Sequence, residues 1–128
     1  MNPDKFYTPE AVREAIRRGD ADYVREAIDS GFDPNTQYPD RCTPLIFAAE
    51  FQQPEIVKLL LAHGADPLHK ESNGYDASAV AAWHGEWRMG AYTQESMEIQ
   101  AILKRQIEFP SPHPLSRIVA WLKHLVLK

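Results

Sequence analysis

The sequence predicts an all-α solenoid of short helix-turn-helix units, joined by β-hairpin-like connections and closed by a C-terminal helix. Three observations predict it. Residues recur at a fixed 33-position offset: Gly31 and Asp33-Pro34 return as Gly64 and Asp66-Pro67. Each unit holds two short stretches whose apolar residues lie on one face at helical spacing. Neither helix is long enough to bury that face alone, so neighbouring units must stack.

The same offset aligns Val24 with Val57, Ile28 with Leu61 and Ala15 with Ala48, and carries Ala48-Ala49 onto Ala81-Ala82. Unit one, about residues 8–39, keeps Gly19, Asp22, Val24, Ile28, Gly31, Asp33, Pro34 and Asn35 but lacks the Thr-Pro opening. Arg13, Glu14, Arg17, Arg18 and Asp20 give it the charged outer face of a terminal repeat.

Unit two, about residues 40–72, is the most regular. Thr43 can cap a helix whose first position is Pro44, where no N–H is needed. Leu45, Ala48 and Ala49 share one face, and the two alanines let a neighbouring helix approach closely. Pro54 starts the second helix, with Ile56, Val57, Leu60 and Leu61 as its stripe. Gly64 ends it, because glycine takes the left-handed conformation without steric cost.

Unit three, about residues 73–107, opens on the turn signal Asn73-Gly74-Tyr75. Its second helix arrives late: Glu98-Ile99 and Ile102-Leu103 match Glu55-Ile56 and Leu59-Leu60 at an offset of 43. About ten residues, near 86–95, are therefore inserted between its helices. Residues 108–114, with Pro110, Pro112 and Pro114 at alternate positions, read as a semi-rigid connector. Residues 115–128 read as an amphipathic helix with Leu115, Ile118, Val119, Leu122, Leu125 and Val126 on its stripe. It is expected to dock on the last repeat as a cap; contact with a membrane or partner, with Trp121 at the interface, is the competing reading.

These residues resemble the ankyrin repeat family. Thr43-Pro44-Leu45-Ile46-Phe47-Ala48-Ala49 is similar to its Thr-Pro-Leu-His-x-Ala-Ala opening, and residues 55–67 continue the pattern. Ile46 replaces the usual histidine and Gln52-Gln53 the usual Gly-His, so the turn must be held another way. The resemblance implies a protein-binding role for the finger tips between repeats (38–41 and 71–75) and the concave face of each first helix. Ile46, Glu50 and Phe51, and Ala79, Trp83 and His84, are the concave positions.

Interface anchors favour Trp, Tyr and Arg. The candidate partner-binding residues are Tyr38, Arg41, Phe51, Tyr75 and Trp83, with Trp87, Arg88 and Tyr92 in the insertion. Packing against neighbouring helix ends is the competing role for Phe51 and Trp83, and folding back over the last repeat for Trp87 and Tyr92.

Composition narrows the remaining classes. Lys and Arg total 14 against 18 Asp and Glu, a net charge of −4, which offers no basic face for nucleic acid and suits a basic protein partner. The single cysteine, Cys42, excludes an intrachain disulfide and fits a reducing cytoplasm. The polar start of the chain leads into no signal-type apolar run, and no stretch of about 18 apolar residues argues for a membrane span. His63, His69, His84, His113 and His124 show no metal-ligand spacing, and His63 and His69 read as solvated turn residues. Neither a phosphate loop nor a nucleophile motif is present, so neither an enzyme nor a cofactor is expected. The sequence predicts a cytoplasmic protein, monomeric when free, that binds one protein. At the level of fold, it is similar to ankyrin-type immunity proteins that bacteria pair with toxins. An inhibitor of a basic toxin or enzyme is therefore one reading, and a regulatory adaptor or scaffold recruited through the C-terminal helix is the other.

Overall fold

The computed structural model describes residues 7–89 and 93–108, and for residues 84–89 the backbone alone. Six α-helices are found among the described residues, in three antiparallel pairs: α1 (Pro9–Arg18) with α2 (Ala21–Asp29), α3 (Pro44–Glu50) with α4 (Pro54–Ala62), and α5 (Ala77–Met89) with α6 (Gln94–Glu108). No strand occurs among these residues. The expected tail helix at 115–128 and the connector lie outside them.

Side-chain caps open helices at Thr43, as the sequence predicted, and also at Asp76 and Asp20. Thr43 Oγ1 accepts from Ile46 N at 3.5 Å, Asp76 Oδ1 from Ala79 N at 2.9 Å and Asp20 Oδ1 from Tyr23 N at 3.1 Å. Unit one corrects the sequence reading. Thr8 accepts from Ala11 N and Pro9 sits in the first turn, so a Thr-Pro opening is present, two residues ahead of register. The charge-rich α1, with 10 residues, is longer than α3, with 7.

One core runs through all three units. The first helices α1, α3 and α5 pack side by side, as do the second helices α2, α4 and α6. Leu60 and its 43-offset partner Leu103 are both fully buried, as is Ile99, while Ile56 is 1 % exposed. The late register of the third unit is therefore the packed one. The inserted residues are not all loop, however: α5 continues to Met89 and α6 begins at Gln94. Helix extension absorbs much of the extra length, because elongating a helix satisfies backbone groups that a loop would leave to water.

Side chains tie each unit to the next. Asn35 Nδ2 donates to Gly64 O at 3.0 Å, and Asn35 Oδ1 accepts from Asp66 N at 2.8 Å. Gln53 Nε2 donates to Arg17 O at 3.2 Å, and its amide lies so near Gly19 (φ +79°) that a Cβ there would press against it. Gln52 faces the other way. Its Nε2 donates to Ala49 O at 3.1 Å and approaches Ala81 O at 3.4 Å, while its Oε1 accepts from Thr93 Oγ1 at 2.8 Å. Ser96 Oγ also donates to Ala81 O, at 2.7 Å. Gln52 carries φ +57°, which explains why glycine is usual at this position. The substitution of Gly-His by Gln-Gln thus exchanges an unstrained turn for bonds to both neighbouring units.

Candidate protein-binding surface

The finger between α2 and α3 closes on a hydrogen bond from Tyr38 N to Cys42 O, 2.7 Å. Asp40 and Arg41 at its tip both take left-handed angles, φ 66° and 60°. The next finger closes from Glu71 N to Tyr75 O at 3.1 Å, and the Glu71 carboxylate accepts from Asn73 N and Tyr75 N. These are hydrogen-bonded turns with a hairpin-like closure. The fingers also bond to each other: Ser72 N donates to Asp40 O at 2.9 Å, and His69 Nε2 lies 2.8 Å from Arg41 O. With Ile46 in place of histidine, the first finger is therefore held from the second. His69, read from sequence as a solvated residue, has this structural task, and the carbonyl partner requires that Nε2 carry the proton.

Tyr38 anchors the first finger to α1. Its hydroxyl donates to Pro9 O, and its ring meets Phe47 edge-on with centroids 4.8 Å apart. Burial, reinforced by the charge of Glu10, raises the hydroxyl pKa above the ordinary phenol range and keeps it a donor. Phe51 caps the end of α3, half-buried and stacked on Phe47. Both residues contribute more to the scaffold than to an open face. Arg41 is exposed at the tip.

Tyr75 and Trp83 differ. They are 52 % and 54 % exposed, and their rings lie nearly parallel (19°) with centroids 6.4 Å apart. Trp87 and Arg88 lie on the backbone of α5, with side chains outside the description, and Tyr92 lies outside the described residues. Ile46, expected on the concave face, is only 3 % exposed. The correction has a physical cause: α3 is flanked by α1 and α5, which leaves only a narrow strip of it open.

That strip floors a groove of about 510 Å³ between α1, α3 and the first finger. Phe47, Tyr38 and Cys42 supply its apolar floor, and Glu10, Asp40 and Glu50 stand around it. Glu14 also lines the groove but is held by Arg17 through two hydrogen bonds. Arg13 lays its guanidinium 5.0 Å from the centroid of the Phe47 ring. Burial pushes the Cys42 thiol above its usual range, and the carboxylates of Glu71, Glu50 and Asp40 push it the same way. The surrounding carboxylates are thus felt at the floor of the groove, with Arg13 opposing them. Sequence reading found Glu50 and, within the finger tip 38–41, Asp40, but missed Glu10, Cys42 and Phe47. The repeat offset held the signal, since Cys42 and Glu50 stand 33 positions before Tyr75 and Trp83.

Among the described residues, no group of three or more His, Cys, Asp or Glu side chains is placed to hold a metal. Nor is any helix among them long and apolar enough to cross a membrane.

Stacked helix pairs, projecting fingers and an open concave groove define the class of repeat proteins that bind through a preformed surface. A family model of ankyrin repeats (3 copies) matches residues 12–90, and the chain belongs to the ankyrin repeat family. Family members serve generally as non-catalytic modules of protein–protein interaction.

Several curated proteins are similar over parts of the chain. The 2-5A-dependent ribonuclease of Homo sapiens is 34 % identical over 77 residues, covering 59 % of this chain and 10 % of that protein. Zygote-specific protein 3 of Chlamydomonas reinhardtii is 39 % identical over 80 residues, covering 59 % of this chain and 21 % of that protein. Protein FPV222 of Fowlpox virus (strain NVSL), named for ankyrin repeats, is 44 % identical over 52 residues, covering 41 % of this chain and 7 % of that protein. The chain thus spans about a fifth or less of the length of these relatives.

Proposed function

We propose that this chain is a non-catalytic module that docks one protein partner on its finger tips, its concave groove and residues 86–95, and that it restrains the partner by covering it, as an immunity or inhibitor protein does. The observation that carries the reading is the Tyr75–Trp83 pair: two large side chains, each more than half exposed, side by side next to the groove. Exposed aromatics held by a rigid scaffold have the properties of interface anchors, because they bring much area and few rotamers to freeze. The acidic groove favours a basic partner. The single cysteine supports a cytoplasmic setting.

An adaptor recruited through residues 115–128 is the second reading, favoured by the apolar stripe of that segment. Affinity capture by the tagged full chain from its own cells, read by mass spectrometry, separates the two. One stoichiometric partner with a toxin or enzyme domain supports restraint. Several substoichiometric partners, or membrane proteins retained through 115–128, would replace it with the adaptor reading.

A further inference from the structure

We infer that the concave face receives an extended basic segment of a partner protein, seating one Arg or Lys among Glu10, Asp40 and Glu50 and a second on the Tyr75–Trp83 rings about three residues along. The inference rests on the protein-binding reading and specifies the chemistry of what is bound.

Charge decides the first position. A volume near 510 Å³ would suit many ligands, so size alone does not discriminate. Of the acidic groups around the groove, Glu14 is taken up by Arg17. Glu10, Asp40 and Glu50 have no ion pair among the described residues, and Arg13 is turned onto Phe47. A cation entering here meets three carboxylates beside one resident guanidinium, Arg13, which already covers the Phe47 ring; acidic groups still outnumber basic ones in the lining, so a cation is favoured over an anion. The Arg13–Phe47 contact also shows, within the molecule, that a guanidinium settles on this surface.

Repeat position decides the second. Tyr75 and Trp83 occupy in unit three the places that Cys42 and Glu50 occupy in the groove of unit two. The positions that line the groove in unit two thus carry an exposed aromatic pair in unit three, and the inferred path runs from a carboxylate-lined half to an aromatic half. Both halves take guanidinium or ammonium groups, the first by charge and the second over ring faces. Packed helices lie roughly 8–10 Å apart, and an extended chain advances about 3.3 Å per residue. Neighbouring halves are thus about three residues apart along a bound strand.

The test is selection of random dodecapeptides displayed on phage against the immobilised full-length chain, followed by anisotropy titration of the selected peptides. The expected result is enrichment of Arg and Lys over Asp and Glu, in pairs about three residues apart. Affinity should fall about tenfold or more in Asp40→Asn/Glu50→Gln and in Trp83→Ala. The charge-matched Asp22→Asn/Glu55→Gln, on α2 and α4, should stay within about twofold, and thermal melts should show all three variants folded. Acidic or uncharged selected peptides, no enrichment, or an equal loss in the α2/α4 variant would overturn the inference. A captured natural partner that needs Trp83 but docks an acidic segment would overturn it too, while leaving the protein-binding reading standing.

Discussion

The side-chain amide of Gln53 donates to the carbonyl oxygen of Arg17 at 3.2 Å, joining the start of α4 to the end of α1 across 36 residues of sequence. With Gln52 reaching forward to Ala81 and Thr93, two adjacent residues clamp the middle repeat to both neighbours. Gln53→Ala is expected to lower stability by about 0.5–1.5 kcal/mol, the net worth of one hydrogen bond. Gln52→Ala should cost more, since it loses several bonds and keeps the strained φ. Gln52→Gly should recover part of that loss by relieving the strain. Urea unfolding of the three variants checks the order.

The 43-residue register of the third unit predicts a graded series on α6. Leu103→Ala should destabilise by about 2–5 kcal/mol, because the side chain is fully buried in the core that α6 shares with α4 and α5. Ile102→Ala, half-buried, should cost less, and Met97→Ala, 56 % exposed, should cost almost nothing. Equilibrium unfolding measures the series; a larger loss at Met97 than at Leu103 would put the register wrong.

Much of this was legible in the sequence for a simple reason. Caps, prolines and apolar periodicity act within a helix, so Thr43-Pro44, Pro54 and the buried pair Leu60 and Leu103 could be found without tertiary contacts. What escaped depends on neighbours. Ile46 is buried because α1 and α5 flank it, and Thr8-Pro9 was passed over because α1 starts two residues early. The task of Gln52 and Gln53 exists only once three units are stacked. The acidic groove escaped for the same reason, since its walls come from helices and a finger far apart in sequence.

Tyr38 and Cys42 predict a loss of stability in alkali. Both groups hold their protons more tightly folded than unfolded. Their contribution is therefore intact below the unfolded values, about 8.5 for a thiol and about 10 for a phenol, and is lost as pH rises beyond them. Urea midpoints should fall from about pH 8.5 upward, and Tyr38→Phe should flatten the part of that fall above about pH 10. Alkylation of Cys42 at about pH 8 should be slower in the folded chain than in urea, and Glu50→Gln should speed it.

Residues 115–128 are expected to cap the stack. A chain ending at Phe109 should melt at lower temperature or aggregate, as a solenoid with an uncovered end does. An equally stable, monodisperse truncation would assign the segment to a partner instead.

The most direct measurement for the account is hydrogen–deuterium exchange of the full chain, free and bound to its captured partner. New protection is expected on the fingers at 38–42 and 71–75 and on α3 and α5, with α2 and α4 unchanged. Protection confined to α2 and α4, with the fingers and the groove exchanging as in the free chain, would contradict it.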